Sequence, residues 1–339
     1  MAWLAWGEIE VPELSEALSA PSGRKRDPTT VSVVVPVYNG APTLEPLVER
    51  LEQVLGACTT EFEILLVDDG SKDASWDVVD SLARKHRRCH GLSFMRNYGQ
   101  HNALLAGIRQ ARYEVTVTMD DDLQHPPEEI PVLLDGLAAG ADVVYGAPRS
   151  AAHGLARRLS SRITKMVLKS AMGAESAGHV SAFRCFRTKL RDGFADVGGP
   201  TINIDVLLSW STSRFTPVHV RHDKRLIGTS NYTLRQLIRH ALNMLTGFST
   251  GALRLASLTG FGFTLTGMGV LAYVLVRYFQ TGGVVPGFAF LASIVAIFSG
   301  AQLFTIGIIG EYLARAYERM MNKPTYLIGR TTRPPDSDL

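Results

Sequence analysis

Two apolar stretches near the C-terminus constrain most strongly how this chain can fold. Residues 255–276 and 284–309 contain only isolated polar side chains, such as Ser293 and Gln302. Each stretch is long enough to cross a bilayer as a helix, which requires about 20 residues. Before residue 250, charged and apolar residues alternate as they do in a water-soluble domain. The sequence therefore predicts a globular domain at residues 29–230 and a transmembrane hairpin at residues 251–313, with spans of about 253–277 and 284–310.

Basic residues around the two stretches predict the orientation of the hairpin. The connecting loop carries only Arg277, whereas basic residues cluster before the first stretch and after the second, at Arg235, Arg239, Arg254, Arg315, Arg319, Lys323 and Arg330. By the positive-inside rule, both ends should be cytoplasmic, including a C-terminal segment at residues 314–339. The alternative, a helical hairpin buried in a soluble core, is disfavoured by this charge asymmetry.

The segments that flank these two regions have their own signatures. Residues 231–250 are predicted to form an amphipathic helix in the membrane interface, because Arg235, Arg239 and His240 lie off an apolar stripe at helical spacing. Residues 1–28 lack a basic segment followed by a long apolar run, so we interpret them as a mobile tail rather than a cleaved signal. The net charge of +3 is too small to indicate nucleic-acid binding. Three cysteines without C-x-x-C spacing indicate neither a disulfide framework nor a zinc site.

Strand and helix patterns alternate in the globular domain. Buried strands are predicted at residues 31–37, 63–68, 92–95, 114–119 and 142–145, with helical apolar spacing after most of them. Pro126 and Pro127, followed by two glutamates, predict the start of another helix. Such alternation is typical of a parallel, Rossmann-like α/β sheet. Residues 150–230 are less regular, with helices predicted near 155–172 and 202–210.

Polar residues follow three of these strands directly. The first strand ends in Pro36, Tyr38 and Asn39, and the second in Asp68 and Asp69. The fourth ends in the carboxylates Asp120, Asp121 and Asp122. Ligands of parallel sheets bind at this edge, and carboxylate oxygens suit Mg²⁺ or Mn²⁺. Turn and helix-cap chemistry explains any one of these loops alone. Three loops at one edge favour a site for a nucleotide diphosphate.

Six segments of the chain resemble a known family. They are VSVVVPVYNGAPTLEPLVERL (31–51), EILLVDDGSKDAS (63–75), RNYGQHNALLAGI (96–108), DDDLQHPPEEIP (120–131), GTSNYTLRQLI (228–238) and GEYLARAYERMMNKPTYLI (310–328). Their order resembles that of family 2 glycosyltransferases which attach a sugar to a polyprenyl phosphate, including bacterial undecaprenyl-phosphate enzymes. The resemblance implies a GT-A nucleotide-sugar-binding domain followed by an interfacial helix and a membrane hairpin.

The resemblance also implies residue roles. Pro36, Tyr38, Asn39 and Asp68 would contact the nucleoside, and Asp69, Asp121 and Ser230 would lie close to the nucleotide sugar. Asp120, Asp122 and Gln124 would hold the metal and the donor diphosphate. Arg149 and Arg225 would bind phosphates, to which a planar guanidinium is suited. The residues expected to be catalytic are therefore Asp120, Asp122, Arg149 and Arg225.

Three positions depart from the family pattern. Gly40 stands where a glutamate is usual, and Asp121 stands where the middle residue of D-x-D is commonly alanine. Asn231 replaces a lysine near the expected phosphate site, a loss for which Lys224 or Arg235 can compensate.

The reaction implied is an inverting transfer from a nucleotide diphosphate sugar, with uridine favoured over guanosine, to polyprenyl (undecaprenyl) phosphate. A phosphate monoester has a second pKa near about 6, so the nucleophile needs no strong base. The expected location is a bacterial inner membrane, with contacts to membrane lipids and assembly as a homo-oligomer, for which similar enzymes suggest a tetramer. Two alternatives stay open: a non-catalytic membrane protein that binds sugar nucleotides or lipid-linked glycans, and a transferase for another lipid such as diacylglycerol.

Several other polar or aromatic residues favour structural interpretations. Gln100 and His101 begin a predicted helix and are expected to cap it or pack there, because polar residues commonly occupy helix starts. His125, beside two prolines, is expected to be a turn residue. Trp210 lacks the neighbouring glutamine and arginine of a Q-x-x-R-W motif, which disfavours a processive polysaccharide synthase.

Overall fold

The computed structural model describes residues 29–148, 180–199, 202–223, 251–281, 287–321 and 323–333. The chain forms two compact units, and the two long C-terminal helices belong to the second. The predicted tail at 1–28, the interfacial helix at 231–250 and the helix near 155–172 lie outside the described residues. So do Arg149, Arg225, Ser230, Asn231, Lys224 and Arg235.

The first unit is built on a mixed sheet. Within the described residues it has eight strands in the order β7-β5-β6-β4-β1-β2-β3-β8. Their bounds are Thr30–Val37 (β1), Glu61–Asp68 (β2), Cys89–Phe94 (β3), Val115–Thr118 (β4), Val143–Pro148 (β5), Arg184–Arg187 (β6), Phe215–Val220 (β7) and Ile328–Thr331 (β8). The prediction of a parallel sheet is correct for β1 to β4, which pair in parallel. It is wrong for β6 and β8, which are antiparallel to their neighbours.

Among the described residues, five helices flank this sheet and two long helices belong to the second unit. Their bounds are Ala41–Cys58 (α1), Ser75–Lys85 (α2), Gln100–Gln110 (α3), Ile130–Ala138 (α4), Ile204–Ser211 (α5), Gly251–Thr281 (α6) and Phe288–Met320 (α7). Helix α1 begins with a proline in its first turn and buries Leu44, Leu47 and Leu51 at helical spacing. Helix α5 begins where the Asn203 side chain accepts hydrogen bonds from the backbone N–H groups of Asp205 and Val206, at 3.0 and 3.1 Å.

The core lies on both faces of the sheet because side chains of a strand alternate between faces. Val33 and Val35 of β1 belong to the apolar cluster that contains Leu47 of α1. Val34, between them, belongs to the cluster on the opposite face, with Leu105 of α3. Since β1 is buried on both sides, its residues from Val31 to Val37 are apolar except for Ser32, as is typical of central parallel strands.

The described C-terminal residues 324–333, which we name the C-terminal strap, return to the first unit after α7. Its strand β8 pairs with β3 at one edge of the sheet. The Tyr326 ring stacks on Phe94 with centroids 5.0 Å apart. Arg333 forms an ion pair with Glu63, a carboxylate that is 3% exposed. The sequence predicted only a C-terminal segment at 314–339, without this strand.

The described part of the second unit contains the two predicted apolar helices. The stretches Ala256–Gln280 and Ile297–Ala314 are long and apolar enough to span a membrane. Within the unit, the rings of Phe263 and Phe298 meet edge to face at 5.9 Å. The prediction of two apolar helices is confirmed, whereas their insertion and orientation in a membrane stay predictions.

Candidate active site

The polar strand ends predicted from the sequence meet at one edge of the sheet. They do so because β1 pairs in parallel with both β2 and β4, which aligns Val37 with Asp68 and Val34 with Thr118. A cavity of about 230 Å³ opens there, lined by Pro36, Val37, Tyr38, Asp69, Asn97, Gly99, Gln100, Asp120 and Asp121. The structure thus brings Pro36, Tyr38, Asp69, Asp120 and Asp121 together around one space.

The turn between β1 and α1 forms one wall of this cavity. Asn39 has a φ of 53°, in the left-handed region that non-glycine residues rarely adopt. Its side-chain oxygen accepts a hydrogen bond from the backbone N–H of Lys72 at 2.9 Å, and its own N–H donates to Ser71 Oγ at 3.0 Å. This anchored turn presents the Tyr38 ring, which is 47% exposed. An exposed aromatic face is suited to stacking on a nucleotide base.

Asp68 and Asp69 hold neighbouring loops. The two Asp68 oxygens accept hydrogen bonds from the N–H of Ser71 at 3.1 Å and from the Ser93 hydroxyl at 2.7 Å. The two Asp69 oxygens accept from the N–H groups of Tyr98 and Gly99, at 2.7 and 2.8 Å. Burial raises the pKa of Asp69 to about 6. Contact of these two carboxylates with a nucleoside stays a prediction.

The three consecutive carboxylates are directed to three different neighbours. Asp120 Oδ1 accepts a hydrogen bond from Gln100 Nε2 at 2.6 Å. Asp122 Oδ1 accepts from the backbone N–H of Gln124 at 3.1 Å. The Asp121 carboxylate instead lies against Gly40, where an added Cβ would be 2.0 Å from its Oδ2. The turn that separates these directions includes Leu123, whose φ of 58° is again left-handed.

The donor set around Asp120 and Asp122 fits a divalent cation that is shared with a substrate. Among the described residues, no group of three His, Cys, Asp or Glu side chains is arranged to hold a metal ion. Mg²⁺ is commonly bound by one or two carboxylates together with substrate phosphates and water. Asp120 lines the open cavity, whereas Asp122 is not among its lining residues. A cavity-lining carboxylate shared with substrate phosphates matches that arrangement better than a closed protein cage, and coordination by Asp122 stays a prediction. Coordination by the Gln124 side chain stays a prediction.

A buried polar network that was not predicted from the sequence lies behind the carboxylates. Arg184 of β6 is 2% exposed, pairs with Asp205 of α5 and donates from Nε to Thr118 Oγ1 at 2.9 Å. The Tyr145 hydroxyl donates to Asp205 Oδ1 at 2.9 Å. Burial alone lowers the pKa of Arg184. The negative charges of Asp205 and Asp120 outweigh that effect and raise this pKa above its ordinary value. The sequence feature that could have predicted this network is a charged residue inside each of two apolar segments, Arg184 and Asp205. A buried charge requires a partner, so each indicates the need for the other.

Sequence analysis assigned structural roles to Gln100, His101 and His125, and of these three residues Gln100 lines the cavity. Gln100 was expected to cap or pack at a helix start, but its side chain bonds Asp120 and lines the cavity. His101 Nδ1 accepts a hydrogen bond from the N–H of Ile204 at 3.3 Å, which is a packing role. His125 is 9% exposed, between the rings of Phe183 and His222, and burial lowers its pKa to about 4.

Comparison with known proteins supplies the family. Residues 32–195 match the family model described as glycosyl transferase family 2. The undecaprenyl-phosphate 4-deoxy-4-formamido-L-arabinose transferase of Pseudomonas paraeruginosa is 33% identical over 313 residues, covering 91% of this chain and 92% of that one. The chain belongs to glycosyltransferase family 2. The protein of the same description from Yersinia enterocolitica is 34% identical over 302 residues, covering 88% and 92% of the two chains.

Solved structures resemble this family 2 glycosyltransferase more distantly. Glucosyl-3-phosphoglycerate synthase of Mycobacterium tuberculosis is 18% identical, with a TM-score of 0.47 and coverage of 64% of this chain and 78% of that one. Mannosyl-3-phosphoglycerate synthase of Rubrobacter xylanophilus is also 18% identical, with a TM-score of 0.47 and coverage of 67% and 75%. The family model and the curated relatives confirm the predicted family and transferase activity, and the mixed sheet confirms the predicted α/β fold class.

Proposed function

We propose that this glycosyltransferase moves a sugar from a nucleotide diphosphate, UDP in the first instance, to polyprenyl phosphate with inversion at the anomeric carbon. The observation that carries the proposal is the single cavity that joins an exposed aromatic ring, Tyr38, to the carboxylates Asp120 and Asp121. The undecaprenyl-phosphate transferases to which the chain is similar support the acceptor. The sugar in their description, 4-deoxy-4-formamido-L-arabinose, is the first donor sugar to test.

The donor nucleotide would occupy the cavity from base to diphosphate. Tyr38 offers a face for the base, and Asp120 and Asp122, with Gln124, would hold Mg²⁺ or Mn²⁺ against the diphosphate. A bound cation would neutralise the charge that develops on the leaving diphosphate. Gln100 holds Asp120 through its 2.6 Å hydrogen bond and thereby fixes one carboxylate in position. From the sequence pattern, Arg149 and Arg225 would add phosphate contacts and Ser230 a further polar contact.

The acceptor needs no strong base in this reaction. The second pKa of a phosphate monoester is near about 6, so polyprenyl phosphate is largely a dianion at neutral pH and can attack directly. Catalysis then depends on positioning the two substrates and stabilising the leaving group.

The two apolar helices would place the enzyme at the lipid acceptor. Helices α6 and α7 contain stretches that could span a membrane, and the basic residues on either side predict a cytoplasmic active site in a bacterial inner membrane. Assembly as a homo-oligomer, with a tetramer as the expected form, belongs to the same proposal. Protease cleavage of the 278–287 loop only from the periplasmic side of sealed vesicles would support this orientation, and cleavage from the cytoplasmic side would refute it.

The deciding experiment measures transfer of labelled sugar into extractable lipid by the purified protein. UDP- and GDP-sugars are offered with undecaprenyl phosphate and Mg²⁺ or Mn²⁺, and EDTA is the control. We expect labelling with one donor, lost with EDTA and reduced at least about 100-fold in Asp122→Ala. Asp77→Ala, an exposed carboxylate on α2, is the matched control and should retain activity. Equal labelling of undecaprenol, which lacks the phosphate, would refute the proposed acceptor.

A further inference from the structure

Gly40 provides space rather than backbone freedom, and this observation leads beyond the proposed function while resting on it. The backbone of Gly40 has φ −113° and ψ 16°, a conformation that other L-residues also adopt. A Cβ at this position would, however, lie 2.0 Å from Asp121 Oδ2 and 3.1 Å from Asp121 Cγ. Any side chain at residue 40 would therefore displace the Asp121 carboxylate from its observed place.

Because Gly40 has no side chain, the Asp121 carboxylate can point away from Asp120 and Asp122, its two neighbours in the sequence. Asp120 turns towards Gln100 at the start of α3, and Asp122 binds the backbone of its own turn. Asp121 reaches across the sheet edge to the turn between β1 and α1, which also carries Tyr38. Both Asp121 and Tyr38 line the cavity.

Other polar groups on this wall are directed to the protein itself. The two oxygens of Asp69 accept backbone hydrogen bonds from the β3–α3 loop. The side-chain oxygen of Asn39 accepts from the backbone of Lys72. These groups fix loops, and Asp121 lines the cavity beside the aromatic wall.

We propose that Asp121 is a specificity-determining residue that accepts a hydrogen bond from the nucleoside part of the donor, and that Gly40 is small in order to admit it. The bonded group is a base N–H or a ribose hydroxyl next to the Tyr38 ring. A side chain at residue 40 and the Asp121 carboxylate cannot occupy the same volume. Residues 40 and 121 therefore act as one unit. The metal and diphosphate are left to Asp120 and Asp122.

The test is calorimetric titration of the full-length protein with UMP, and with GMP as a second probe, in EDTA. A nucleoside monophosphate without metal reports the nucleoside contact and not the cation. Asp121→Ala should weaken binding by about 10- to 100-fold, as expected for loss of a hydrogen bond to a charged group. Gly40→Ala should weaken it comparably, because its Cβ displaces the same carboxylate. The double variant should be no weaker than either single variant, a non-additivity that marks one shared contact.

Two further variants separate this role from a general loss of structure. Gly56→Ala changes a glycine within α1, where an added Cβ meets nothing within 4 Å. This variant should bind UMP as the wild type does. Gly40→Glu combined with Asp121→Ala returns a carboxylate to the vacated volume and should recover most of the lost affinity. Binding of 2′-deoxy-UMP and 3′-deoxy-UMP separates the ribose from the base. An effect of Asp121→Ala that vanishes with one analogue identifies that ribose hydroxyl, and an effect unchanged with both identifies the base N–H.

Three results would overturn the inference. Unchanged UMP binding in Asp121→Ala would exclude the nucleoside contact, even if transfer activity fell. A loss seen only with Mg²⁺ or Mn²⁺ present would make Asp121 a metal ligand instead. If the wild-type protein binds no nucleotide at all, the proposed function itself fails. If the wild-type protein binds nucleotide but Asp121→Ala binds equally well, only the inference about Asp121 fails.

Discussion

The α/β unit and the helical hairpin both contain long apolar segments, yet they bury them in opposite ways. In β1, Val31, Val33 and Val35 are 0% exposed, because helices cover both faces of the sheet. In α6 and α7, Leu271 and Phe304 are 59% and 64% exposed. Burial away from water stabilises the first region by its own contacts. In the second, many of the described apolar side chains are exposed, and a lipid environment would provide their apolar surroundings instead.

If internal partners stabilise the α/β unit, the largest effect should come from its buried charge network. Arg184→Ala leaves the Asp205 carboxylate buried without its cation and should lower the free energy of unfolding by about 3–5 kcal/mol. Denaturant titration of the detergent-solubilised protein measures this. Arg214→Ala removes an arginine that is 64% exposed from its pair with Asp142 and should change stability far less, because solvent screens an exposed ion pair. Equal losses in both variants would contradict a special role for burial.

A second pair of variants compares the same substitution in the two regions. Leu47→Ala in α1 opens a cavity beside β1 and should cost about 2–5 kcal/mol. Leu271→Ala in α6 removes a side chain that is 59% exposed, and should leave the unfolding of the α/β unit within about 0.5 kcal/mol of the wild type. A large loss in Leu271→Ala would show that the hairpin stabilises the α/β unit through contacts of its own.

The C-terminal strap should have an intermediate effect. Arg333→Ala removes the ion pair with buried Glu63, but Glu63 also accepts hydrogen bonds from the Ser32 hydroxyl at 2.8 Å and the Arg112 N–H at 2.7 Å. We therefore expect a loss of about 1–3 kcal/mol, measured by the same titration. Arg330→Ala, an exposed strap residue whose guanidinium lies 6.0 Å from the Trp76 ring, is the control and should have little effect. Indistinguishable unfolding of the two variants would mean that the strap is held by its backbone pairing alone.

The last comparison concerns the pH dependence of stability caused by Asp69. Burial raises the pKa of this carboxyl from 3.8 to about 6, so the folded protein retains a proton that the unfolded chain releases. Its favourable contribution is fully present below about pH 4 and is lost as the pH rises to about 6. Relative to Asp69→Asn, wild-type stability should decline across that window. A rise instead would mean that the Tyr98 and Gly99 hydrogen bonds lower the pKa more than burial raises it.

Much of the sheet and of the site edge followed from local sequence patterns. The period of Leu44, Leu47 and Leu51 predicts α1, and a buried strand before Asp120 predicts where the carboxylates lie. Strand β8 was not predictable in this way, because its four residues are exposed and its partner β3 is more than 200 residues away. Pairing between distant segments leaves no periodic signal in either one.

The site itself shows the same limit. Gly40 and Asp121 were two separate departures from a family pattern in the sequence, whereas the structure places them in contact. Arg184 and Asp205 are each isolated charges in apolar segments, and only the antiparallel pairing of β6 with β4 explains why they meet behind Thr118. Single-residue patterns identify candidates, but the partner that gives each its role lies elsewhere in the chain.

The C-terminal strap makes the helical hairpin of α6 and α7 an insertion in the chain of the α/β unit rather than an appendage to it. The chain leaves the α/β unit, forms α6 and α7, and returns to supply an edge strand. A soluble fragment obtained by ending the chain before α6 would lose β8, uncover the edge of β3 and leave Glu63 without Arg333. An unpaired edge strand is a template for aggregation. Removal of the hairpin as an internal loop, with the strap rejoined, is the excision that the topology permits.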